Sequence, residues 1–433
     1  GVKIMGMQNA LEYIINKNTG IIHHVKNKMD FKLPFPMHIY FAFRNELVDV
    51  SEGVKIRGDY SGLGYSYDCP ESALISAVGE ALERYCSCYL NSEVLIKDSF
   101  NSLVKKNVHA LNPLSITQPL NEQYQETYHT CKEIDGETIF YWVEAMDEIH
   151  NKKILVPANT MYFDVDKEFL LPHIRDSIST GLATGSTRLQ AIENAALECI
   201  ERDAIMITWL NQLTVPLIDS KTIPDETVQY YLNVANEKGF EVFFFEITTD
   251  IKVPTYFVLI RNLYNNYPYI QVGAKAHYEP IIALKGALME TLASLNLLAD
   301  PNLEMAEFSD IKNVKNIRSI KDHMLYYAAG NDKEAFDFLI SNSEKPFNNY
   351  SKVNNFEELK ENLDKMELNL YSYDLTTEDI NSLGLYVYRV LMPELAFLEI
   401  TLPMLGCNRL IDAPNNMGYV PAKTFNKNPH PFP

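Results

Sequence analysis

The chain has 433 residues, of which 46% are hydrophobic and 22% are charged. This length can bury a large core and predicts two or three domains, or one large α/β domain. The formal net charge of −19 excludes a protein that binds nucleic acid through a broad basic surface, because phosphate backbones are bound by Lys and Arg. A local basic groove remains compatible with this balance, because net charge is a sum over the whole chain.

The six cysteines form no Cys-x-x-Cys pair and no Cys/His cluster with zinc spacing. Free thiols in a reducing cytoplasm, each a small buried hydrophobe, are the simplest interpretation. No run of about 18 apolar residues is present, so no transmembrane helix is expected. The chain is therefore predicted to be cytoplasmic, with neither a membrane span nor a nucleic-acid partner.

Residues 1–57 are predicted to form an N-terminal segment. Within it, residues 10–15 have a short helical pattern, and residues 31–44 predict a strand that is broken by its two prolines. Residues 58–72 are rich in Gly, Tyr and Asp and predict a loop. Pro70 then opens a helix, with an acid in the first turn where the helix dipole favours it.

Three later stretches are each long enough for a helix, rich in Ala and Leu, and free of proline: residues 72–90, 191–210 and 281–300. All three contain glutamate and few other charges. The first two share the pattern Ala or Gly, Glu, two apolar residues, Glu, Arg. This weak internal repeat indicates duplicated α/β units.

Strand-like runs rich in β-branched and aromatic residues lie between and after these helices, at residues 241–248, 255–262, 267–276 and 385–393. The alternation predicts an α/β fold with mixed α+β layers, in which buried Glu-bearing helices pack on mixed sheets. Residues 301–367 are more polar and predict a surface excursion. The proline-rich residues 421–433 predict an extended tail near polyproline II.

The first Glu-bearing helix carries its few charges on one face. Spacings of i, i+4, i+7 and i+8 place on that face Ser76, Glu80, Glu83 and Arg84. The other faces are apolar, so the helix is predicted to be buried on several sides.

The second Glu-bearing helix repeats this arrangement with Glu198 and Glu201 at i, i+3, followed by Arg202, whereas Glu193 is turned well away from Glu198. Four buried carboxylates facing one another would repel and stay protonated unless cations intervene. Mg²⁺ with phosphate satisfies this, because Mg²⁺ takes one or two carboxylates and fills its octahedron with phosphate oxygens. The alternative is that each glutamate forms a structural ion pair with the adjacent Arg or another cation.

No Gly-x-x-x-x-Gly-Lys-Ser/Thr loop accompanies these acids. Residues 179–187 are rich in Gly and Thr directly before the second Glu-bearing helix, and their amides could face a phosphate at the helix N-terminus. An ordinary turn is at least as good an interpretation.

These residues resemble the YcaO family over about residues 58–433. The first signature is similar to Ser76-x-x-x-Glu80-x-x-Glu83-Arg84, and the second to residues 181–209 with their Glu-x-x-Glu-Arg-Asp core. Residues 272–294 look like the family's third helix. Residues 373–395 resemble its late strand, in which an Arg at the position of Arg389 precedes a Val/Pro segment.

The resemblance implies an ATP site built from these helices in place of a P-loop, with ATP and Mg²⁺ as cofactors. The residues that would hold Mg²⁺ are Glu80, Glu83, Glu198 and Glu201. Those that would contact the nucleotide are Ser76, Glu193, Arg202 and Arg389, with Arg84 behind them. Two positions depart from the family: Gly62-Leu63-Gly64 stands where many members have Gly-Lys-Gly, and Gln190 where many have Glu. Leu63 removes one possible phosphate contact, whereas Gln190 could still offer a neutral oxygen to metal or ribose.

The sequence Pro429-His430-Pro431-Phe432-Pro433 resembles the tail of azoline-forming members, which threads into the active site. There the terminal carboxylate of Pro433 would be placed to abstract a proton, because a stiff tail costs little entropy to position. A disordered proline-rich tail is the alternative. The expected organisation is then a catalytic domain over 58–420, including the excursion at 301–367, and a tail over 421–433.

The implied reaction is ATP-dependent cyclodehydration of a ribosomally made precursor peptide. A Cys, Ser or Thr side chain attacks the preceding amide carbonyl, and the oxyanion attacks the γ-phosphate. Loss of phosphate then leaves thiazoline or oxazoline, with ADP as the other product. Thioamide or amidine formation by the same phosphorylation and a non-catalytic scaffold subunit remain alternatives. Expected partners are the precursor peptide and an E1-like leader-binding protein, with a flavin-dependent azoline oxidase as a further candidate and a homodimer within a larger complex as the assembly.

Overall fold

The computed structural model describes residues 10–27, 34–45, 48–49, 54–55, 61–126, 130–163, 165, 167–299, 311 and 313–433. The chain divides into two compact units. Unit 1 comprises Gly1–Met29, Met37–Cys199 and Asp364–Glu394, and unit 2 comprises Asp30–Pro36, Ile200–Leu363 and Leu395–Pro433. All six cysteines are free, as the sequence predicts, and four of them are buried, whereas Cys69 and Cys131 are only partly buried.

The N-terminal sheet of unit 1 is antiparallel, with the strand order β1 (Ile22–Asn27), β2 (His38–Arg44) and β5 (Ser61–Ser66). A two-residue ladder joins β3 (Val48–Asp49) to β4 (Val54–Lys55). A helical turn, α1, covers residues 10–14. The predicted loop at 58–72 is therefore wrong over its described part, because β5 occupies most of it.

The long helix α2 (Pro70–Ser87) packs on β5 and β2. Two glycines of β5 permit this close approach: a Cβ on Gly62 would lie 1.8 Å from the Ala77 carbonyl oxygen, and one on Gly64 would lie 1.8 Å from that of Ala73. Glycines that resemble loop signals in the sequence are thus strand residues over which a helix backbone passes.

The larger sheet of unit 1 is also antiparallel, with the order β6 (Ile96–Ser99), β7 (Ile139–Asp147), β15 (Tyr371–Asp374), β16 (Tyr386–Leu391) and β9 (Leu182–Gly185); β8 (Lys152–Pro157) pairs with β7. Its short helices are α3 (Phe100–Lys105) and α10 (Glu378–Ser382). The helix α4 (Arg188–Asn211) contains the division between the units, so Glu198 belongs to unit 1 and Glu201 to unit 2.

Unit 2 is built on one mixed sheet, with the order β13 (Ile270–Ala276), β12 (Thr255–Asn262), β11 (Phe240–Glu246), β10 (Leu217–Ile218) and β14 (Glu344–Lys345). Only the β10–β14 pairing is parallel among the strands described. The remaining helices are α5 (Glu226–Glu237), α6 (Pro280–Leu298), α7 (Ile320–Ala328), α8 (Asp337–Ile340), α9 (Phe356–Lys365) and α11 (Arg409–Asn416).

The helix α6 packs on β12 and β13, in the same manner as α2 on its own sheet. A Cβ on Gly273 would lie 2.6 Å from Thr291 Oγ1, so this packing also depends on a strand glycine. Within the described residues, α6 alone is long and apolar enough to cross a membrane. Because 61% of its most apolar window is buried inside the protein, α6 fits the role of a core helix.

The described part of residues 301–367 is not confined to the surface. Leu325, Tyr327, Phe336 and Leu359 are all fully or almost fully buried in unit 2. The polarity of this stretch reflects its exposed faces, whereas its apolar residues complete the core. The mixed α/β architecture, with Glu-bearing helices packed on sheets, is confirmed.

Candidate active site

The carboxylate of Glu80 is held at the outer edge of the N-terminal sheet. Glu80 Oε2 accepts a hydrogen bond of 3.0 Å from the backbone N–H of Leu63 on β5. Glu80 Oε1 lies 3.4 Å from Arg84 Nη2, one turn further along α2, and the Arg84 guanidinium stacks over Phe163. The Glu80 side chain is about a third exposed, so this acid is less buried than the sequence predicts.

The carboxylate of Glu83 is held at the outer edge of the larger sheet. Glu83 Oε1 accepts a hydrogen bond of 2.9 Å from the backbone N–H of Thr184 on β9. Burial raises the pKa of Glu83 to about 8, and the negative charges of Glu80 and Glu198 contribute to this rise, against the opposing charge of Arg84. Glu83 is therefore largely protonated at neutral pH unless a cation approaches it.

Arg389 is a buried cation with unused donors. It lies on β16, is 2% exposed, and donates from Nη2 to the carbonyl oxygen of Ile178 at 2.9 Å. Its Nε and Nη1 atoms are buried and have no hydrogen-bond partner in the described part of the chain. Burial and the charge of Arg175 lower the pKa of Arg389 to about 9, while Cys199 and Glu198 oppose this shift. Such a group favours an anion, since unsatisfied buried donors are costly.

Unit 2 holds a second pair of acids, each of which is bound by a backbone amide of the edge strand β13. Glu201, which is 3% exposed, accepts through Oε2 from the backbone N–H of Ala276 at 3.2 Å. Glu290, on α6, accepts through Oε2 from the backbone N–H of Ala274 at 3.2 Å. Burial and the charge of Glu201 raise the pKa of Glu290 to about 7, against Arg202 and Lys275.

Glu290 is a candidate site residue that the sequence patterns do not identify. The signal for it is weak: Glu290 is the single acid on α6, which otherwise carries only the charge of Lys285. Its significance comes from the strand β13, because two neighbouring outward amides of that strand position Glu201 and Glu290 side by side. Each of the acids Glu80, Glu83, Glu201 and Glu290 thus has one oxygen fixed by the backbone amide of an edge strand. Without the carboxylate, that amide would need a water molecule as its acceptor.

The proline-rich tail is ordered and buried in unit 2. Trp209 Nε1 donates to the carbonyl oxygen of Asn428 at 3.0 Å, and Tyr327 Oη donates to that of Pro429 at 2.6 Å. His430 and Phe432 are 5% and 2% exposed. The carbonyl oxygen of Pro433 lies 3.5 Å from Arg202 Nη1. The structure therefore excludes a disordered tail and places its last residue beside a predicted ATP-binding arginine.

The histidine of the tail is fixed by stacking. The rings of His430 and His323 are parallel, with centroids 3.7 Å apart, and a ring nitrogen of His323 contacts the His430 carbonyl oxygen at 2.8 Å. Burial and the neighbouring His323 lower the pKa of His430 well below its usual value. His430 is thus a neutral packing residue.

Backbone amides at the start of α4 already donate hydrogen bonds to side chains of the protein. Gln190 Oε1 accepts from Ser186 N at 2.8 Å and from Ser186 Oγ at 3.1 Å, which occupies the neutral oxygen that the sequence offers to metal or ribose. The amides of Thr184 and Ser186 already have protein acceptors, so these two amides within residues 179–187 do not face a phosphate. Glu193 is partly buried on the same helix, and Ser76 is exposed on α2.

Asp203, which follows the second signature's arginine, belongs to a buried ion network in unit 2. It is fully buried and accepts from Arg409 Nη2 at 2.7 Å and from Ala396 N at 2.8 Å. Arg409 also donates to Asp250 at 2.8 Å. This network fastens α4 to α11, the helix from which the chain leads to the tail.

The described residues contain no group of three or more His, Cys, Asp or Glu side chains arranged as a metal site. Mg²⁺ in proteins commonly keeps waters and phosphate oxygens and takes one or two carboxylates. The neutralised Glu83 and the open donors of Arg389 are the observations that fit Mg²⁺ with a phosphate ligand.

A model of the family described as "YcaO cyclodehydratase, ATP- and Mg²⁺-binding" matches residues 66–396. An uncharacterised protein from Methanothermobacter thermautotrophicus is 24% identical over 51% of this chain and 54% of its own length. An uncharacterised protein from the tfuA 3′ region of Rhizobium leguminosarum bv. trifolii is 22% identical over 47% of this chain and 53% of its own. The chain thus spans about half the length of these curated relatives.

Solved structures share the fold at low sequence identity. A heterocyclase in complex with substrate and cofactor has a TM-score of 0.76 and 19% identity, covering 99% of this chain and 57% of that chain. The E. coli microcin synthetase McbBCD complex with pro-MccB17 bound gives 0.65 and 14%, covering 97% and 99%. YcaO from Methanopyrus kandleri bound with AMPPCP and Mg²⁺ gives 0.61 and 15%, covering 90% of both.

Proposed function

The chain belongs to the YcaO cyclodehydratase family, and from this we propose that it phosphorylates backbone amide oxygens of a precursor peptide with ATP and closes azoline rings. The observation that carries the proposal is a pair of buried groups inside unit 1, each of which lacks, in the part of the chain that the structure describes, a partner of opposite charge that a ligand could supply. Glu83 is forced towards its neutral form by burial, Glu80 and Glu198, while Arg389 holds unused buried donors. Mg²⁺ and a phosphate would resolve both.

We propose that Mg²⁺ is held by Glu80, Glu83, Glu198 and Glu201. Edge-strand amides fix one oxygen each of Glu80, Glu83 and Glu201, so the orientation of each carboxylate is set before metal arrives. Mg²⁺ would supply charge neutralisation at the transferred phosphoryl group. Glu290 joins this set as a neighbour of Glu201 that takes up or releases a proton near neutral pH.

We propose that the nucleotide is contacted by Ser76, Glu193, Arg202 and Arg389. Arg389 is the strongest member, because its buried donors match phosphate oxygens in charge and geometry. Arg84 lies behind these residues and orients the Glu80 carboxylate through their ion pair. Gln190 stays in the proposal through its amide NH₂ group, since its oxygen is bonded to Ser186.

The tail favours azoline formation over the thioamide and amidine alternatives. A carboxylate on Pro433 would lie beside Arg202, where it could accept a proton from the attacking Cys, Ser or Thr side chain. The packed tail positions such a base at low entropic cost, because its residues are already ordered. The similar structures of a heterocyclase with substrate and of a microcin synthetase with pro-MccB17 support the same conclusion.

We further propose that the chain works in the cytoplasm with a precursor peptide and an E1-like leader-binding partner. A flavin-dependent oxidase and a homodimeric arrangement within a larger complex complete the expected assembly. Support for the partners comes from the similar microcin synthetase, which is a complex with pro-MccB17 bound.

The deciding experiment combines the purified chain with Mg²⁺, ATP, and a candidate precursor peptide and leader-binding protein chosen from the genes that neighbour its own. We expect ADP and phosphate, together with one water mass lost from the peptide for each ring. Glu83→Gln should abolish both, whereas Glu144→Gln, at an exposed acid paired with Lys153, should retain both. Phosphate release without water loss would count against azoline formation, and failure to bind ATP would favour the scaffold.

A further inference from the structure

A groove with a volume of about 330 Å³ lies on unit 2, at the β14 end of its sheet. Its lining includes Lys252, Lys345 and Lys352, together with Tyr350 and Tyr419. None of the residues proposed to bind ATP or Mg²⁺ is among the described residues that line it. The groove is therefore a separate feature of unit 2 that the proposed chemistry does not explain.

The side chains that line the groove are mainly positive, whereas the protein as a whole is negative. The chain as a whole carries a net charge of −19, yet three lysines line this groove, and Glu246 is the one acidic side chain among its described lining residues. In the part of the chain that the structure describes, none of the three lysines forms an ion pair. Their charges remain available to an anionic ligand.

The backbone beside the groove favours an extended ligand. Lys345 lies on β14, the outermost strand of the sheet as described, and β14 pairs there with a neighbour on one side only. An outer strand offers main-chain groups to an added peptide segment, and side-chain pockets beside it then select the sequence. Tyr350, which is 69% exposed, adds an aromatic surface of the kind enriched at peptide interfaces.

We propose that this groove binds a short, extended, acidic segment of the precursor peptide and so tethers the substrate to the chain. The assignment of the ligand as substrate rests on the proposed function, whereas the preference for an acidic extended peptide rests on the groove itself. The three lysines lie on separate stretches of chain, the loop after β11, strand β14, and the segment that follows it. Several carboxylates spaced along a peptide can meet them in turn.

The test is direct binding, measured by fluorescence anisotropy at low and moderate salt. The probes are a labelled eight-residue peptide alternating Glu and Gly and its matched Gln/Gly counterpart. We expect the Glu peptide to bind at least about fivefold more tightly, with the difference shrinking as salt rises. A variant with Lys252→Glu, Lys345→Glu and Lys352→Glu should lose this preference.

The matched control reverses three exposed lysines of unit 2 outside the groove, Lys221→Glu, Lys238→Glu and Lys315→Glu, for the same change in net charge. Equal loss in the control would reduce the effect to net charge and overturn the proposal, as would undiminished binding by the groove variant. Inorganic phosphate is added so that its total negative charge equals that of the Glu peptide. If it displaced the peptide under this condition, the groove would be a small-anion site and the proposal would fail. ATP binding by the groove variant should be unchanged, so failure of the groove and failure of the proposed function remain separable.

Discussion

Replacing Glu83 by Gln is expected to stabilise the ligand-free protein while destroying its activity. The amide keeps the shape of the carboxyl group and can still accept the hydrogen bond from Thr184 N. It removes the negative charge that burial, Glu80 and Glu198 oppose. Conflict between stability and function is typical of residues positioned to bind a charged ligand.

The size of the effect follows from the pKa of Glu83. Its value of about 8, against 4.5 for an unperturbed group, means that the folded state binds the proton more tightly than the unfolded state. The stability contributed by this proton is then complete below pH 4.5 and is lost progressively as pH rises through 8. One pKa unit corresponds to about 1.4 kcal/mol, so between pH 5 and pH 8 the limit is roughly 4 kcal/mol. Solvent screening at this partly exposed cluster reduces the expected difference to about 1–2 kcal/mol.

The measurement is the melting temperature of both proteins with EDTA and without nucleotide, at steps from pH 5 to pH 8. For a unit of about 200 residues, each kcal/mol corresponds to roughly 2–4 °C. The Gln variant should match the wild type at pH 5 and exceed it by a few degrees at pH 8. Glu144→Gln, at an exposed acid of the same unit, should show no such divergence. Parallel curves, or a variant that is less stable at pH 8, would refute the reasoning.

Three further outcomes follow. Arg389→Lys keeps the charge but loses the planar donor fork, so Mg·ATP affinity measured by calorimetry should fall about tenfold or more, whereas Arg261→Lys, at a surface ion pair, should leave it unchanged. Glu290→Gln should reduce the proton release on Mg·ATP binding at pH 7 by about half a proton, since a group with a pKa of about 7 is half protonated there; calorimetry in two buffers measures this, and an unchanged proton count would remove Glu290 from the site. Arg409→Met strands two buried aspartates and should cost about 3–5 kcal/mol in urea unfolding, and adding Asp203→Asn and Asp250→Asn should recover much of that loss.

Helix periodicity predicts the Glu-bearing helices well, because their apolar faces pack against sheets of the same chain. The second strand-like run, residues 255–262, coincides with β12, and the helix starting at Pro70 ends within three residues of the predicted end. Spacing alone places Glu80 and Glu83 on one face of α2. The negative charge of Glu198 contributes to the raised pKa of Glu83, so these two acids of unit 1 lie close enough to interact.

The positions of the acids depend on contacts that the sequence does not display. The amides of Leu63, Thr184, Ala274 and Ala276 are set by which strands lie at sheet edges, and strand order is a long-range property. Glu290 lacks a local partner pattern and becomes significant only through β13. The two edge strands β5 and β9 resemble loops in the sequence, because their glycines and threonines are common in turns as well.

The departure at Leu63 illustrates how the structure changes the meaning of a motif. Gly62 and Gly64 face α2, where any Cβ would collide with the helix backbone. Side chains alternate along a strand, so the side chain at 63 points to the opposite face of the sheet. It is the backbone N–H of Leu63, lying in the plane of the sheet, that holds Glu80. Because every residue except proline supplies that N–H, replacing lysine by leucine at this position leaves the anchor of Glu80 intact, and the carboxylate keeps the orientation that the proposed Mg²⁺ site requires.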